Sequence, residues 1–257
     1  MKNVLTKKRI VTILLILIIL VIIWFIFSNL FYKYRPYYSV KNRNSNIEKF
    51  KFSNNEKAKG WLRVQGTNID MAIMDYYDVY DISDPTYNIG WYSDYYKPES
   101  DRIILYSHNM RNVSSKPLIA NEEHERFEQL MSFIYYDFAK KNEYIQYSAN
   151  KENNLYKIYA VYLIKNDAFT EEDDFDSSSK DKYIESAISR SYFKYNVDVS
   201  SKDKLLTLKT CTRFYGNDEY GFVVEARKLR KNEIISKYRV SKNKKYKKVE
   251  KVLKGDE

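Results

Sequence analysis

The chain has 257 residues and a formal net charge of +10, from 44 Lys and Arg against 34 Asp and Glu. Its length allows one good-sized domain with appendages, and a hydrophobic content of 44% supports a packed core and excludes global disorder. The basic balance calls for an acidic partner: nucleic acid, anionic lipid or an anionic cell-wall polymer.

The first element decides among these. Ile10 to Phe27 is an unbroken apolar run with one threonine, close to the length that spans a bilayer core. Lys2, Lys7, Lys8 and Arg9 precede it, so that end is expected in the cytoplasm and everything after Ser28 outside. No small-residue cleavage pattern follows; Ser28-Asn29-Leu30-Phe31 is too bulky, which favours a retained anchor over a cleaved signal peptide. The expected location is the cell membrane, single-pass type II, with an extracellular domain. That address removes nucleic acid as a partner.

Residues 1–31 are thus read as cytoplasmic tip and anchor, and residues 32–58 as a polar stalk ending in a short amphipathic helix that carries Ile47 and Phe50. Gly60 to Val64 and Ile69 to Ile73 read as strands about a turn at Gly66-Thr67-Asn68. Tyr76 to Ser100, rich in Asp, Tyr, Pro and Asn, reads as loop-dominated. Arg102 to Ser107 is a strand ending on His108, and Glu122 to Ile134 has helical spacing. Tyr144 to Tyr147 and Leu155 to Ile164 follow as strands. A helix capped near Asp176 runs to about Tyr192, and Leu205 to Thr210 and Phe222 to Leu229 are the last strands. Strands at close spacing with two interrupting helices predict a mainly-β barrel or sandwich decorated with helices. Residues 59–229 form the domain, and residues 230–257 read as a basic tail, either solvated or in contact with an anionic wall or membrane surface.

Cys211 is the single cysteine, so no internal disulfide holds the domain. A free cysteine is most often a buried, inert thiol. Cys211, however, ends the strand Leu205 to Thr210 as His108 ends the strand Ile103 to Ser107. Two strand ends meeting at one rim of a barrel would bring thiol and imidazole together. The thiolate is the attacking species, a neighbouring imidazolium favours it, and the imidazole can then pass a proton to a leaving amine. The other histidine, His124, lies in the acidic segment Asn121 to Arg126 and reads as an exposed helix residue. Two histidines and one cysteine form no recognisable metal-ligand set, and no cofactor is expected.

Thr207-Leu208-Lys209-Thr210-Cys211, followed by a loop and the strand Gly221 to Arg227, resembles the sortase signature. Tyr106-Ser107-His108-Asn109-Met110 is similar to the Y-G-H-N-M segment of class B sortases. Arg126 to Leu130, Asp137-Phe138, Gly60-Trp61-Leu62 and Thr67 to Asp70 resemble further elements of that class. The resemblance covers roughly Lys59 to Leu229. It implies an eight-stranded sortase-type β-barrel with an N-terminal helix and one or two inserted helices, preceded by a single transmembrane helix. It also implies a Gram-positive cell-surface cysteine transpeptidase. Cys211 would cleave a C-terminal sorting motif of secreted proteins after Thr, class B members usually preferring Asn-Pro-x-Thr. A peptidoglycan precursor or pilin amine would accept the acyl group.

One departure stands out. The class carries a third catalytic residue, an arginine, where this chain has Gly221. Arg213, two residues past the cysteine, is the expected substitute, with Gly216 and Gly221 allowing unusual backbone angles; Lys209 is the weaker candidate. Two other readings remain: a hydrolytic cysteine peptidase with the same dyad, or a non-catalytic sortase-like module that binds anionic wall polymer.

Overall fold

The computed structural model describes residues 7–38, 46–49, 51, 57–75, 89–93, 100–109, 127–171, 175–215 and 219–244. In chain order the strands are β1 (Ala58–Val64), β2 (Asp70–Met74), β3 (Ile89–Tyr92), β4 (Arg102–Tyr106), β5 (Tyr144–Ala149), β6 (Glu152–Lys165), β7 (Phe193–Tyr195), β8 (Leu205–Thr212), β9 (Tyr220–Lys228) and β10 (Val240–Lys242). Eight of them close into a barrel in the order β1-β2-β3-β4-β8-β9-β6-β5, while β7 and β10 pair separately. Closure leaves the barrel no edge to template another chain. The expectation of an eight-stranded barrel is borne out.

Local chemistry explains most of these elements. The β1–β2 turn needs a positive φ at Gly66 (79°), where a Cβ would also collide with the side chain of Asn142. Thr67 steadies the turn, its hydroxyl donating to the Val64 carbonyl at 2.9 Å. β6 pairs with β5 over Glu152–Lys157 and with β9 over Tyr156–Lys165. Its side chains are buried on both faces, Ile158 and Val161 in the barrel core and Tyr159, Tyr162 and Ile164 against the helix Ser177–Arg190. The helix α1 (Lys7–Tyr38) carries the apolar run. Its Lys8–Ser28 stretch is 21 residues long and is not buried against the rest of the chain. It is long and apolar enough to cross a membrane, at a rise of about 1.5 Å per residue. Residues 46–49 are helical, and Ile47 packs with Ala58, Ala72, Met74 and Ile89. The remaining helices are the short α2 (Tyr136–Ala139) and α3 (Ser177–Arg190), the latter capped by Asp176, which accepts from the Ser179 amide at 2.8 Å.

Three expectations are corrected. The segment read as loop contains β3, a four-residue strand parallel to β2 and antiparallel to β4. Its pairing partners lie far away in sequence, and four residues are too few to show a period. The helix expected over Glu122 to Ile134 is a 3-10 helix over Glu128–Ile134 within the described residues, wholly buried and packed into the main core; His124 lies outside the described residues. The basic tail does not begin at Arg230. Ile235, Tyr238 and Val240 are buried, β10 pairs with β7, and the Tyr238 hydroxyl donates to the carbonyls of Glu143 and Ile158. A few apolar residues spaced among lysines strap this segment to the barrel. Residues 245–257 lie outside the described residues.

The strands that matter for function are β4, β8 and β9. β4 and β8 run parallel, with Arg102 beside Leu205 and Tyr106 beside Lys209. β8 and β9 are antiparallel, with Leu205 beside Arg227 and Cys211 beside Gly221. Alternation then sorts the side chains. Leu206, Leu208, Phe222, Val224 and Ala226 fill the barrel core, whereas Leu205 and Val223 pack with Ile184 and Ala187 of α3 on the outer face. Up that outer face run Leu205, Thr207, Lys209 and Cys211 on β8, flanked by Arg227, Glu225, Val223 and Gly221 on β9.

Candidate active site

Because β4 and β8 are parallel neighbours, both end at the same rim of the barrel. The register that sets Tyr106 beside Lys209 carries His108 to the level of Cys211, two residues further along each chain. Both residues are exposed, and Cys211 is a free thiol.

The rim is held by backbone. Thr210 turns inward and donates from its hydroxyl to the Ser107 carbonyl at 2.8 Å. Ser107 donates in turn to the Ile89 carbonyl at 2.7 Å, tying β3, β4 and β8 together one residue short of the histidine. Asn109 donates from Nδ2 to the Cys211 carbonyl at 3.1 Å, and the Phe127 amide donates to the His108 carbonyl at 3.1 Å. The His108 ring leans on Trp91, with centroids 4.8 Å apart. A side chain packed against an aromatic ring keeps few rotamers, so this contact restricts the imidazole.

Beneath the rim the same outer face is dry and charged. Arg102 and Glu225 are both fully buried, 3.9 Å apart. Arg102 Nε donates to the Thr207 hydroxyl at 2.8 Å, and that hydroxyl donates to Glu225 at 2.7 Å. Glu225 also accepts from Tyr162 at 2.9 Å and from Tyr183 of α3. The guanidinium stacks over the Tyr183 ring at 4.2 Å and donates to the Thr170 carbonyl at 2.9 Å. Burial alone would lower the Arg102 pKa, but Tyr183 and Glu225 hold it above its ordinary value. Burial likewise pushes the Tyr159 and Tyr162 hydroxyls well up, so they stay protonated donors.

Of the residues singled out in the sequence, Cys211 and His108 are brought to one rim. Arg213 follows the end of β8 and is exposed. Arg227 is fully engaged elsewhere: its two terminal nitrogens donate to Glu233 at 2.6 and 2.7 Å. Gly221 sits within β9 with no positive φ, so it does not loosen a loop as expected; Gly216 lies outside the described residues. Sequence reasoning does not reach Trp91, and it reaches Asn109 only as a member of the segment around His108. Trp91 lies on the strand that the sequence hides, and the bond of Asn109 to the Cys211 backbone exists only in the folded register. No group of three or more His, Cys, Asp and Glu suited to a metal occurs among the described residues.

The Sortase domain family matches residues 62–229, well over half of the chain. The chain belongs to the sortase family. A sortase B of Listeria monocytogenes is 26% identical over 167 residues, which are 61% of this chain and 63% of that protein. The match therefore spans less than two thirds of the length of that relative. Among solved structures, a mutant form of Clostridium perfringens sortase B superposes with a TM-score of 0.59 at 22% identity, covering 74% of this chain and 90% of its own. The Staphylococcus aureus sortase B–substrate complex gives 0.60 at 16% identity, covering 79% and 91%. At these identities the structures establish the shared fold, and the class B resemblance in the sequence is borne out by the relatives it finds.

Proposed function

We propose that this chain is a membrane-anchored cysteine transpeptidase that cleaves a C-terminal sorting motif after Thr and transfers the acyl group to a wall-precursor or pilin amine. The observation that carries the reading is the parallel β4–β8 register, which sets an exposed thiol and an exposed imidazole at one level of one rim. Family membership supports it, since sortases are generally cysteine transpeptidases.

The chemistry follows from the pair. His108 takes the thiol proton, and the Cys211 sulfur attacks the threonine carbonyl carbon. A C–S bond forms and the carbonyl π pair moves to oxygen. When the oxyanion collapses, the C–N bond breaks and the leaving amine takes the proton from the His108 imidazolium. A second amine then attacks the thioester, gives its proton to His108, and releases Cys211. The α1 helix suits this task as an anchor that keeps the domain at the outer membrane face, where secreted proteins and lipid-linked precursors arrive.

The test is mass spectrometry of Cys211 after exposure to a panel of Asn-Pro-x-Thr peptides, with and without an amine acceptor. An adduct on Cys211 that the amine resolves to a ligated peptide is expected. Cys211→Ala and His108→Ala should each abolish ligation, and the double variant should be no worse, because the two act as a unit. Release by water alone, whatever the amine, would make the enzyme a hydrolytic peptidase. Ligation retained in Cys211→Ala would end the mechanism.

A further inference from the structure

A cation with unspent hydrogen-bond donors stands beside the nucleophile. Lys209 precedes Cys211 by two residues on β8 and shares its face, flanked in register by Tyr106 and Val223. Its ammonium lies 4.4 Å from the Phe169 ring centroid and 5.5 Å from that of Tyr106. Among the described residues it has no hydrogen bond and no ion pair. Position 221, directly across from Cys211, is glycine. A Cβ there would stand 2.9 Å from Lys209 Cε, 3.1 Å from Asn166 Oδ1 and 3.3 Å from the Thr210 carbonyl oxygen. The lysine stem therefore runs across Gly221, through the ground beside Cys211 that any larger residue at 221 would occupy.

We propose that Lys209 is the cation of the reacting centre, its ammonium serving the Cys211 sulfur and the carbonyl oxygen under attack, with Gly221 leaving open the path it crosses. The inference rests on the acyl-transfer reading above and assigns that reaction's third group. Two strand residues span about 6.6 Å, within reach of a four-carbon stem. As the C–S bond forms, the oxygen gains the carbonyl π pair and the ammonium donates a hydrogen bond to it. No proton leaves Lys209, and the bond is released when the C–N bond breaks and the carbonyl re-forms.

The surroundings suit a charge held ready and not neutralised. The aromatic faces of Phe169 and Tyr106 attract a cation without spending its donors. Glu171, on the connection between β6 and α3, accepts from the Tyr106 hydroxyl. Burial pushes the Lys209 ammonium below its ordinary value, while Glu171 and Cys211 pull it upward and Arg102 adds to the lowering. Tyr106 and Arg102 on β4, Glu171 and Cys211 are the titratable and charged groups around it. Arg213 offers a planar fork, but it leaves the end of β8 in an exposed position.

Two measurements on the full chain in detergent test the assignment, with thermal midpoints recorded to exclude loss of fold. The first is the pH profile of Cys211 alkylation by iodoacetamide, which needs no peptide. In Lys209→Met the profile should move to higher pH, because a neighbouring ammonium favours the thiolate. Arg213→Met should leave it in place. An unmoved profile in Lys209→Met overturns the proposal. The second is single-turnover acylation by Asn-Pro-x-Thr peptides. Lys209→Met should lose roughly 100-fold or more, the scale of one oxyanion donor. Lys209→Arg should recover part of that loss, and Gly221→Leu should slow acylation with the lysine still present. Acylation of Lys209→Met within a factor of about two of the parent, or a loss confined to Arg213→Met, also overturns it. A parent that no peptide acylates overturns the acyl-transfer reading instead, and the alkylation profile then still decides whether Lys209 charges the sulfur.

Discussion

One outer face, built by the same three strands, carries two opposite solutions to the handling of charge. Low on β4, β8 and β9, Arg102 and Glu225 are buried 3.9 Å apart, with Thr207 bonded to both and Tyr162 and Tyr183 donating to the carboxylate. Higher on the same face, His108 and Cys211 are exposed and the Lys209 ammonium lies over the Phe169 ring. The base resembles a protein core in that nothing in it is free to respond. The rim differs in that its side chains reach solvent while its backbone is pinned through Ser107, Thr210 and Asn109. A catalytic group needs a fixed position and an unfilled valence, and the strands supply the first without the second.

The comparison breaks if the two layers respond alike to substitution. Glu225→Ala leaves a buried guanidinium uncompensated and should lower stability by about 3–5 kcal/mol, read by chemical denaturation. Cys211→Ala, at an exposed site, should stay within about 0.5 kcal/mol of the parent while losing all ligation. Comparable destabilisation by both would mean that the rim is part of the core.

A smaller effect sharpens the lower boundary of the base. Burial would raise the Glu233 carboxyl, but hydrogen bonds from Arg227 and Lys157 outweigh it and hold the group at about 2 against an ordinary 4.5. A depressed carboxyl contributes stability that is complete above its unfolded value and is lost as pH falls through the folded one. The loss attributable to Glu233 should therefore develop between pH 4.5 and about 2 and amount to roughly 2–3 kcal/mol. Acid titration of parent and Glu233→Gln should converge across that window. Parallel curves would remove Glu233 from the account.

The smallest effect concerns the strap that carries Glu233. Tyr238→Phe removes the hydroxyl shared by the Glu143 and Ile158 carbonyls and should cost about 1 kcal/mol. Ligation should be unchanged, because the carbonyls this hydroxyl binds, those of Glu143 and Ile158, lie outside β4, β8 and β9. A drop in ligation would tie the strap to the rim.

The strands β1, β2, β4, β5, β6, β8 and β9 and the helix α3 are legible in the sequence, because period-two burial, Gly66 and the Asp176 cap are local signals. β3, β7 and β10 are not: at three or four residues they carry no readable period and exist by virtue of partners distant in the chain. The site divides the same way. Cys211 and His108 can be named as the single cysteine and the one histidine at a strand end. Lys209 ranks below Arg213 in the sequence because it offers a point charge without a planar fork, whereas Arg213 leaves the same loop as the cysteine.

The sequence by itself determined the apolar helix long enough to cross a membrane, the single cysteine and the histidine at a strand end, and the family pattern that joins them. These depend on residue identity and short spacing. Only the tertiary structure decided that β4 and β8 lie side by side and parallel, that Glu225 answers Arg102 under α3, and that Gly221 leaves its place to a neighbour's side chain. Each of those facts is a contact between residues far apart in the chain, and barrel closure alone sets which strands meet and in what register.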